Sequence, residues 1–184
     1  MTAHPFRIVE ADLFMRTVRL RTPFRFGAVT VRESDHIIAH VKIEDARGQR
    51  ATGCGSDALA AKWFDKNPAK SERQNVVDLG EAAERARAHL LASKQMQTLF
   101  QHWLPLDREA VRAALASGLP AIVGSFAASL FERAMLEALG RLTGQPLHRV
   151  IVDNLAGIDP AAVHGELKGF DLGRSLPAEP SAAV

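Results

Sequence analysis

Hydrophobic and polar residues alternate along the first third of the chain, a pattern that predicts β-strands. β-Branched and aromatic residues dominate residues 6–20 and 28–31, and a segment with proline and glycine separates them. Residues 37–44 alternate with a period of two, and residues 45–48 then break the pattern as a hairpin turn does. We therefore predict an antiparallel meander of three strands, with one dry face and one half-covered face.

A helical period replaces this alternation in the rest of the chain. Ser71 and Gln74 have the spacing of a capping box, and apolar residues at three- and four-residue steps predict a helix over 72–92. The strongest helical pattern covers 121–143, and Gly144 stands where a glycine commonly ends a helix. A meander followed by helices predicts the α+β class, with a helical bundle after the sheet.

The segments around these helices are less regular. Residues 96–106 are apolar and aromatic, and Asp107 is predicted to be the N-cap of a helix over 108–116. Past residue 154 the periodicity fades. We predict one short helix near 160–167 and then a tail of proline, alanine and serine, which is typical of a linker or a frayed end.

Composition and charge narrow the function classes. A chain of 184 residues that is 47% hydrophobic can bury a sizeable core. Its formal charge of +2 is too small to imply nucleic acid or an anionic membrane as an obligate partner. Cys54 is the one cysteine, so an internal disulfide is excluded, and neither a signal peptide nor a membrane span is evident. We expect a soluble, cytoplasmic protein.

Few residue patterns point to chemistry. His36 and His40 have a helical ligand spacing, but on a strand they stand about 13 Å apart and cannot share a metal ion. No G-x-S-x-G motif occurs, and Cys54 is predicted to be a small buried residue at a strand end. Arg19, Arg21 and Arg25 would share one face if the strand continued, and could then hold a carboxylate or phosphate; a solvated strand edge is the other interpretation.

Three stretches carry a resemblance to a known family: RTPFRFG at 21–27, GCGSDALAAKWFDK at 53–66 and FERAMLEALGRLTGQPLHRVI at 131–151. In this order they resemble the first loop, the second mobile loop and the last capping helix of the N-terminal capping domain of the enolase superfamily. The branch is that of mandelate racemase and muconate lactonizing enzyme. The resemblance implies a capping domain over 1–156 and a linker or tail over 157–184 toward a barrel domain missing from the chain.

In that family a (β/α) barrel carries lysine bases and three carboxylates that hold Mg²⁺, and the whole enzyme removes a proton α to a carboxylate. The chain contains no K-x-K motif. The resemblance therefore implies no catalytic residue, no metal ligand and no cofactor in this chain, with Mg²⁺ expected only together with a barrel domain. Whether the chain belongs to an enzyme, a Mg-dependent isomerase or lyase, stays open at this point.

The resemblance also implies that the two loops cover the mouth of the barrel and select the substrate. The substrate-binding residues implied are Thr22, Phe24, Phe26, Trp63 and Phe64. The expected partners are a barrel domain in cis or in trans and a small carboxylate substrate. Two alternatives stay open: Trp63 and Phe64 pack into the core, or the chain is a non-catalytic binding or oligomerisation module that uses its arginines or an exposed apolar face.

Overall fold

The computed structural model describes residues 3–26, 29–177 and 179, and within the strands the side chains of Phe26 and Val29 lie outside this description. Three antiparallel strands come first, in the order β1-β2-β3, and helices follow, which confirms the predicted α+β class. The strands are β1 Phe6–Phe26, β2 Val29–Asp45 and β3 Arg50–Ala58. The helices are α1 Ala61–Phe64, α2 Glu72–Ala92, α3 Leu99–Ala116, α4 Ala121–Thr143, α5 Leu147–Val152 and α6 Leu172–Ser175.

The sheet has an inner face that packs on the helices and an outer face that points away from them. Alternate residues of β2 are buried on the inner face: Ile37, Ala39, Val41 and Ile43. They pair across the ladder with residues of β1 that include Ile8. Helix α4 lies at the centre of the molecule, where it contacts β2, β3, α2 and α3. Burial of one face on α4 is therefore what sets the period of two in β2.

Strand β3 and helix α4 approach so closely that glycine is required between them. A Cβ atom added at Gly53 would lie 2.2 Å from the carbonyl oxygen of Ala134, and one at Gly55 would lie 2.1 Å from that of Leu130. Because strand side chains alternate, Cys54 between the two glycines points to the outer face and is exposed. The prediction of a buried Cys54 was therefore wrong.

The first two strands extend past the rest of the sheet as a long hairpin, which we call the arm (residues 15–26 and 29–37). The segment at 21–27 was predicted to be a loop, but strand pairing resumes at Phe24 and Val31 and continues to Phe26 and Val29. Between the paired residues Arg19 and Phe24 the register shifts, because residues 20–23 stand opposite a single residue of β2.

This shift also corrects the prediction that Arg19, Arg21 and Arg25 share one face. Arg19 pairs with Glu33 and lies on the inner face, whereas Arg25 pairs with Thr30 and lies on the outer face. Before the bulge at 20–23 the odd-numbered residues next to it lie on the inner face, and after the bulge the even-numbered residues do. Odd numbering therefore does not identify one face across the bulge.

Helix α2 begins and α4 ends as predicted. Ser71 and Gln74 form the capping box of α2, and Gly144 adopts a left-handed conformation (φ 64°) after α4. Helix α3 differs from the prediction: Thr98 is its N-cap, with Gln101 completing a capping box, and Asp107 lies inside the helix. The helix continues through Pro105 because an apolar face around it, including Leu99 and Leu106, is buried.

Most of the described residues after α5 are exposed, and regular structure there is limited to short turns. Two 3₁₀ turns, Pro160–Ala162 and Gly165–Leu167, stand where one short helix was predicted. The Arg108 guanidinium donates a hydrogen bond to the carbonyl oxygen of Ala162 and ties this segment to α3. None of the helices in the described residues combines the length and the apolar character that crossing a bilayer requires.

Candidate functional site

The two stretches that resemble lid loops emerge at the same end of the sheet. Strand β3 ends at Ala58, which pairs with His36 of β2. The next residue, Leu59, donates its backbone N–H to the carbonyl oxygen of Asp35 at 2.7 Å. Residues 59–70, which we call the α1 segment, therefore begin beside the base of the arm. The topology brings together two stretches that lie about 40 positions apart in the sequence.

On the arm, the predicted site residues lie beyond the packed part of the sheet. Thr22 is exposed in the bulge, and the Phe24 side chain is 55% exposed on the inner face. Phe26 closes the pairing of β1 with β2, but its side chain is outside the described residues. At the base of the arm the Thr17 hydroxyl donates a hydrogen bond of 2.6 Å to Asp35, which fixes the two strands relative to each other.

In the α1 segment, Trp63 and Phe64 have different environments. The Phe64 ring lies 4.7 Å from that of Phe126 in α4 and packs against the core. Trp63 is 64% exposed. A four-residue helix places consecutive side chains about 100° apart, so one aromatic can anchor the segment while the other faces outward. The core-packing alternative therefore holds for Phe64 and not for Trp63.

The α1 segment is held by a set of polar residues, which we call the lysine clasp: Lys70, Asp65, Asp78 and Asn75. The Lys70 ammonium lies 2.6 Å from an Asp78 oxygen and 3.2 Å from an Asp65 oxygen. The hydrogen bond to Asp78 is the first cause that raises the pKa of Lys70. The buried Asn75 amide donates to the Asp65 carbonyl oxygen at 2.7 Å. These contacts consequently hold the α1 segment against α2.

The clasp was not predicted from the sequence, although one signal was present. Asn75 lies in the first turns of α2 among the residues of its buried face and is 1% exposed. A buried amide needs a hydrogen-bond partner, so a polar residue at such a position indicates a contact with a nearby backbone. The partner, Asp65, is itself buried, and a hydrogen bond from the Asn67 backbone is the first cause that lowers its pKa.

The described part of the chain contains no group of three or more histidine, cysteine, aspartate or glutamate residues placed to hold a metal ion. His36 and His40 occupy alternate outer-face positions of β2, and the His40 ring contacts Phe14 edge-on at 6.4 Å. Glu132 is half-buried beside Asp107, and burial is the first cause that raises the pKa of Glu132. The like charge of Asp107 raises the pKa of Glu132 further, so the shift reflects two carboxyls that face each other between α3 and α4.

An open groove of about 520 Å³ lies on the outer side of α4, next to α5. Its charged side chains are already paired: Arg133 with Asp57 at 3.0 Å, and Arg141 with Glu137 at 2.6 Å. Glu137 also accepts a hydrogen bond from the Cys54 backbone N–H, which is the first cause that lowers the pKa of Glu137. These contacts cover the open edge of β3, so the charges of the groove serve the fold.

No family model and no curated protein matches the chain. Solved structures do. An enolase from Bradyrhizobium complexed with magnesium and mandelic acid matches 82% of the chain at 14% identity, with a TM-score of 0.50. A mandelate racemase/muconate lactonizing enzyme-like protein from Rubrobacter xylanophilus matches 79% at 16% identity, also with a TM-score of 0.50. A mandelate racemase/muconate lactonizing protein from Herpetosiphon aurantiacus matches 79% at 21% identity, with a TM-score of 0.48.

The chain has the fold of the enolase N-terminal domain. It spans about a third of the length of these structures: 34%, 35% and 33% of the three chains. The likeness at such low identities is one of fold. It bears out the three-stranded meander with its following helices.

Proposed function

We propose that the chain is the N-terminal capping portion of a mandelate racemase/muconate lactonizing enzyme-like protein and forms the substrate lid. The complete protein would remove a proton α to the carboxylate of a small carboxylic acid. The observation that carries this proposal is the position of the arm and the α1 segment: both emerge at one end of the sheet, with Phe24 and Trp63 largely exposed there.

A lid of this kind acts by excluding water and by contacting the part of the substrate that does not react. Phe24 and Trp63 offer apolar surface, and Thr22 offers a hydroxyl that can donate or accept a hydrogen bond. Phe26 belongs to the same proposal through its backbone position at the tip of the arm. Phe64, packed on Phe126, would act as a positioning residue that fixes the orientation of Trp63.

The lysine clasp suits this role because a lid that closes needs a defined shape. Because the α1 segment is held on α2, it is already ordered in the folded chain, and substrate binding does not have to lose the conformational entropy of ordering it. The chemistry that Mg²⁺ supplies, stabilisation of an enediolate, needs ligands that the described residues do not assemble. We therefore assign no catalytic step to this chain and expect the metal and the base in a barrel domain, in cis or in trans.

The test combines this chain with the barrel domain encoded after it or beside it. Exchange of the α-hydrogen of a panel of small carboxylic acids is followed by proton NMR in D₂O with Mg²⁺. We expect exchange when both parts are present, and a loss of 10- to 100-fold in kcat/KM for Trp63→Ala, with the melting temperature nearly unchanged. Leu147→Ala is the matched control, since Leu147 is equally exposed but lies on α5.

Three outcomes would contradict the proposal. One is a genomic neighbourhood without any barrel-encoding sequence that contains a K-x-K motif and spaced acidic residues. Another is exchange at full rate by the barrel without this chain. The third is an equal loss of activity for Trp63→Ala and Leu147→Ala.

A second candidate function is a non-catalytic binding module. The observation that favours it is the outer face of the sheet, on which most residues are exposed or half-buried. Such a role does not require a catalytic partner. The distribution of charge on this face indicates which class of ligand it would bind.

A further inference from the structure

The positive charge of the chain is concentrated on the outer face of the sheet. Pairing along the two ladders places six arginine or lysine residues on this face: Arg7, Arg16, Arg25, Arg32, Lys42 and Arg50. It places three carboxylates there: Glu10, Asp12 and Glu44. The resulting excess of three positive charges exceeds the net charge of +2 of the whole chain. The small total charge therefore conceals a basic face.

Two of the three carboxylates of this face are neutralised by ion pairs, and the third, Asp12, lies two residues before Phe14 and interacts electrostatically with Arg87 of α2. Glu44 is paired with both Arg7 and Arg50, the latter at 2.6 Å. Glu10 is paired with Lys42 at 2.6 Å, and its pKa is lowered chiefly by that hydrogen bond. The cations at the end of this face away from the arm are thus engaged in ion pairs and contribute little to the binding of an external ligand.

At the arm end the outer face carries cations and no carboxylate. Arg16, Arg25 and Arg32 lie there, and neither Arg16 nor Arg32 forms an ion pair within the part of the chain that the structure describes. The acidic residues of the arm point the other way: Glu33 lies opposite Arg19 on the inner face, and Asp35 accepts the Thr17 hydrogen bond there. The acidic and the basic side chains of the arm therefore lie on opposite faces of the hairpin, because side chains alternate along a strand.

An aromatic ring lies beside one of these arginines, Arg16. Phe14 is 55% exposed on the outer face, next to Arg16 along β1 and opposite the half-buried Ile38 of β2. The His40 ring touches Phe14 edge-on, with the ring centroids 6.4 Å apart and the planes at 77°. The face of the Phe14 ring is therefore not covered by a stacked neighbour in this contact.

The charge distribution on the outer face indicates which class of ligand it can bind. A second copy of the chain packed face to face would bring two basic surfaces together, which repulsion disfavours. A flat sheet of exposed side chains does not enclose a small anion. Single-stranded nucleic acid needs cations for its phosphates and a π surface for a base, and the outer face offers both: arginines spaced along the arm and an exposed aromatic ring beside Arg16 at its base.

We propose that the outer face of the sheet around Phe14, Arg16 and Arg32 binds single-stranded nucleic acid, with a base stacked on Phe14 and the backbone phosphates held by the arginines. This proposal does not depend on the lid function, because the lid residues lie on the arm's inner face and the α1 segment.

The test is fluorescence anisotropy with a labelled 12-nucleotide oligo-dT and the full chain. With two phosphates contacted by Arg16 and Arg32, log K should fall against log salt with a slope of about −1.4, a loss of about 7-fold between 50 and 200 mM. Arg16→Gln with Arg32→Gln should remove most of this slope. Phe14→Ala should weaken binding by about 5- to 150-fold with little change in the slope.

The matched control is the double variant Arg73→Gln with Arg85→Gln, which removes the same charge from exposed positions of helix α2. Circular dichroism melts confirm that each variant is folded. The proposal is overturned by absence of salt-dependent binding at 50 mM, or by a control variant that loses as much affinity as the arm variant. It is equally overturned if polyglutamate, anionic phospholipid vesicles or duplex DNA bind as tightly and Phe14→Ala has no effect.

Discussion

The contact between β3 and α4 leads to a quantitative prediction for Gly55. A Cβ atom at this position would lie 2.1 Å from the Leu130 carbonyl oxygen and 3.1 Å from the Ala134 nitrogen, whereas ordinary Cβ contacts begin at 3.4 Å. Both atoms belong to the backbone of α4, so no side chain can turn away. Gly55→Ala must therefore separate the strand from the helix by about 1 Å, a gap that forfeits a quarter to a half of each dispersion contact across it.

Because α4 is the central helix, this separation affects most of the core. Overpacking of a well-packed site costs about 1–3 kcal/mol, and backbone contacts place Gly55→Ala at the upper end, about 3 kcal/mol. For a domain of this size that corresponds to a fall of about 6–12 °C in the melting temperature. Gly53→Ala should act in the same direction, since its Cβ would lie 2.2 Å from the Ala134 oxygen and 2.4 Å from the Ala138 nitrogen.

Gly80 provides the matched control. It lies inside α2, and an added Cβ would meet no atom of the described chain within 4 Å. Gly80→Ala should therefore stabilise the protein by about 0.5–1 kcal/mol, through helix propensity and the entropy of the unfolded chain. Urea unfolding followed by circular dichroism measures both variants. A free energy of unfolding for Gly55→Ala within 1 kcal/mol of the parent, or shifts of the same sign for Gly55→Ala and Gly80→Ala, would refute the packing account.

Three further predictions concern single residues. Thermal melts should show that Trp63→Ala costs at most about 1 kcal/mol, because the side chain is exposed, whereas Phe64→Ala costs about 2–4 kcal/mol through lost core packing; equal costs would contradict the different environments. Burial lowers the pKa of His102, so the folded protein binds a proton there less readily than the unfolded chain. The contribution of the neutral His102 to the free energy of unfolding should be fully present above about pH 6.5 and should be lost as the pH falls below that value. His102→Gln should therefore reduce the dependence of the free energy of unfolding on pH in this range. Thr98→Ala should cost about 1 kcal/mol in urea unfolding because Thr98 caps α3, and Asp107→Ala should cost less; the reverse order would restore Asp107 as the cap.

Local patterns were sufficient to predict most of the fold. The capping box at Ser71, the terminal glycine at Gly144 and the alternation in β2 each depend on neighbours a few residues away, and each was confirmed. The start of α3 was not predicted correctly. Burial of its apolar face carries that helix through Pro105, and such a tertiary contribution is invisible to local propensity.

The candidate site was less predictable, for the same reason. The bulge at 20–23 adds three residues to β1, an odd number, and so reverses which face the later arginines occupy; such a register shift cannot be derived from a single sequence. The positions of Trp63 and Phe64 depend on Phe126, which lies more than 60 residues away in the sequence. The alternating glycines of β3 were a usable signal, since glycine in a strand often marks a close backbone approach.

Hydrogen exchange of the chain with and without the proposed barrel domain tests the lid geometry most directly. If the arm and the α1 segment together cover a substrate pocket, amide protection should rise in residues 20–26 and 59–66 when the barrel is added, and a bound carboxylate should increase it further. Protection that rises only outside these two segments, or no change at either segment, would contradict the account.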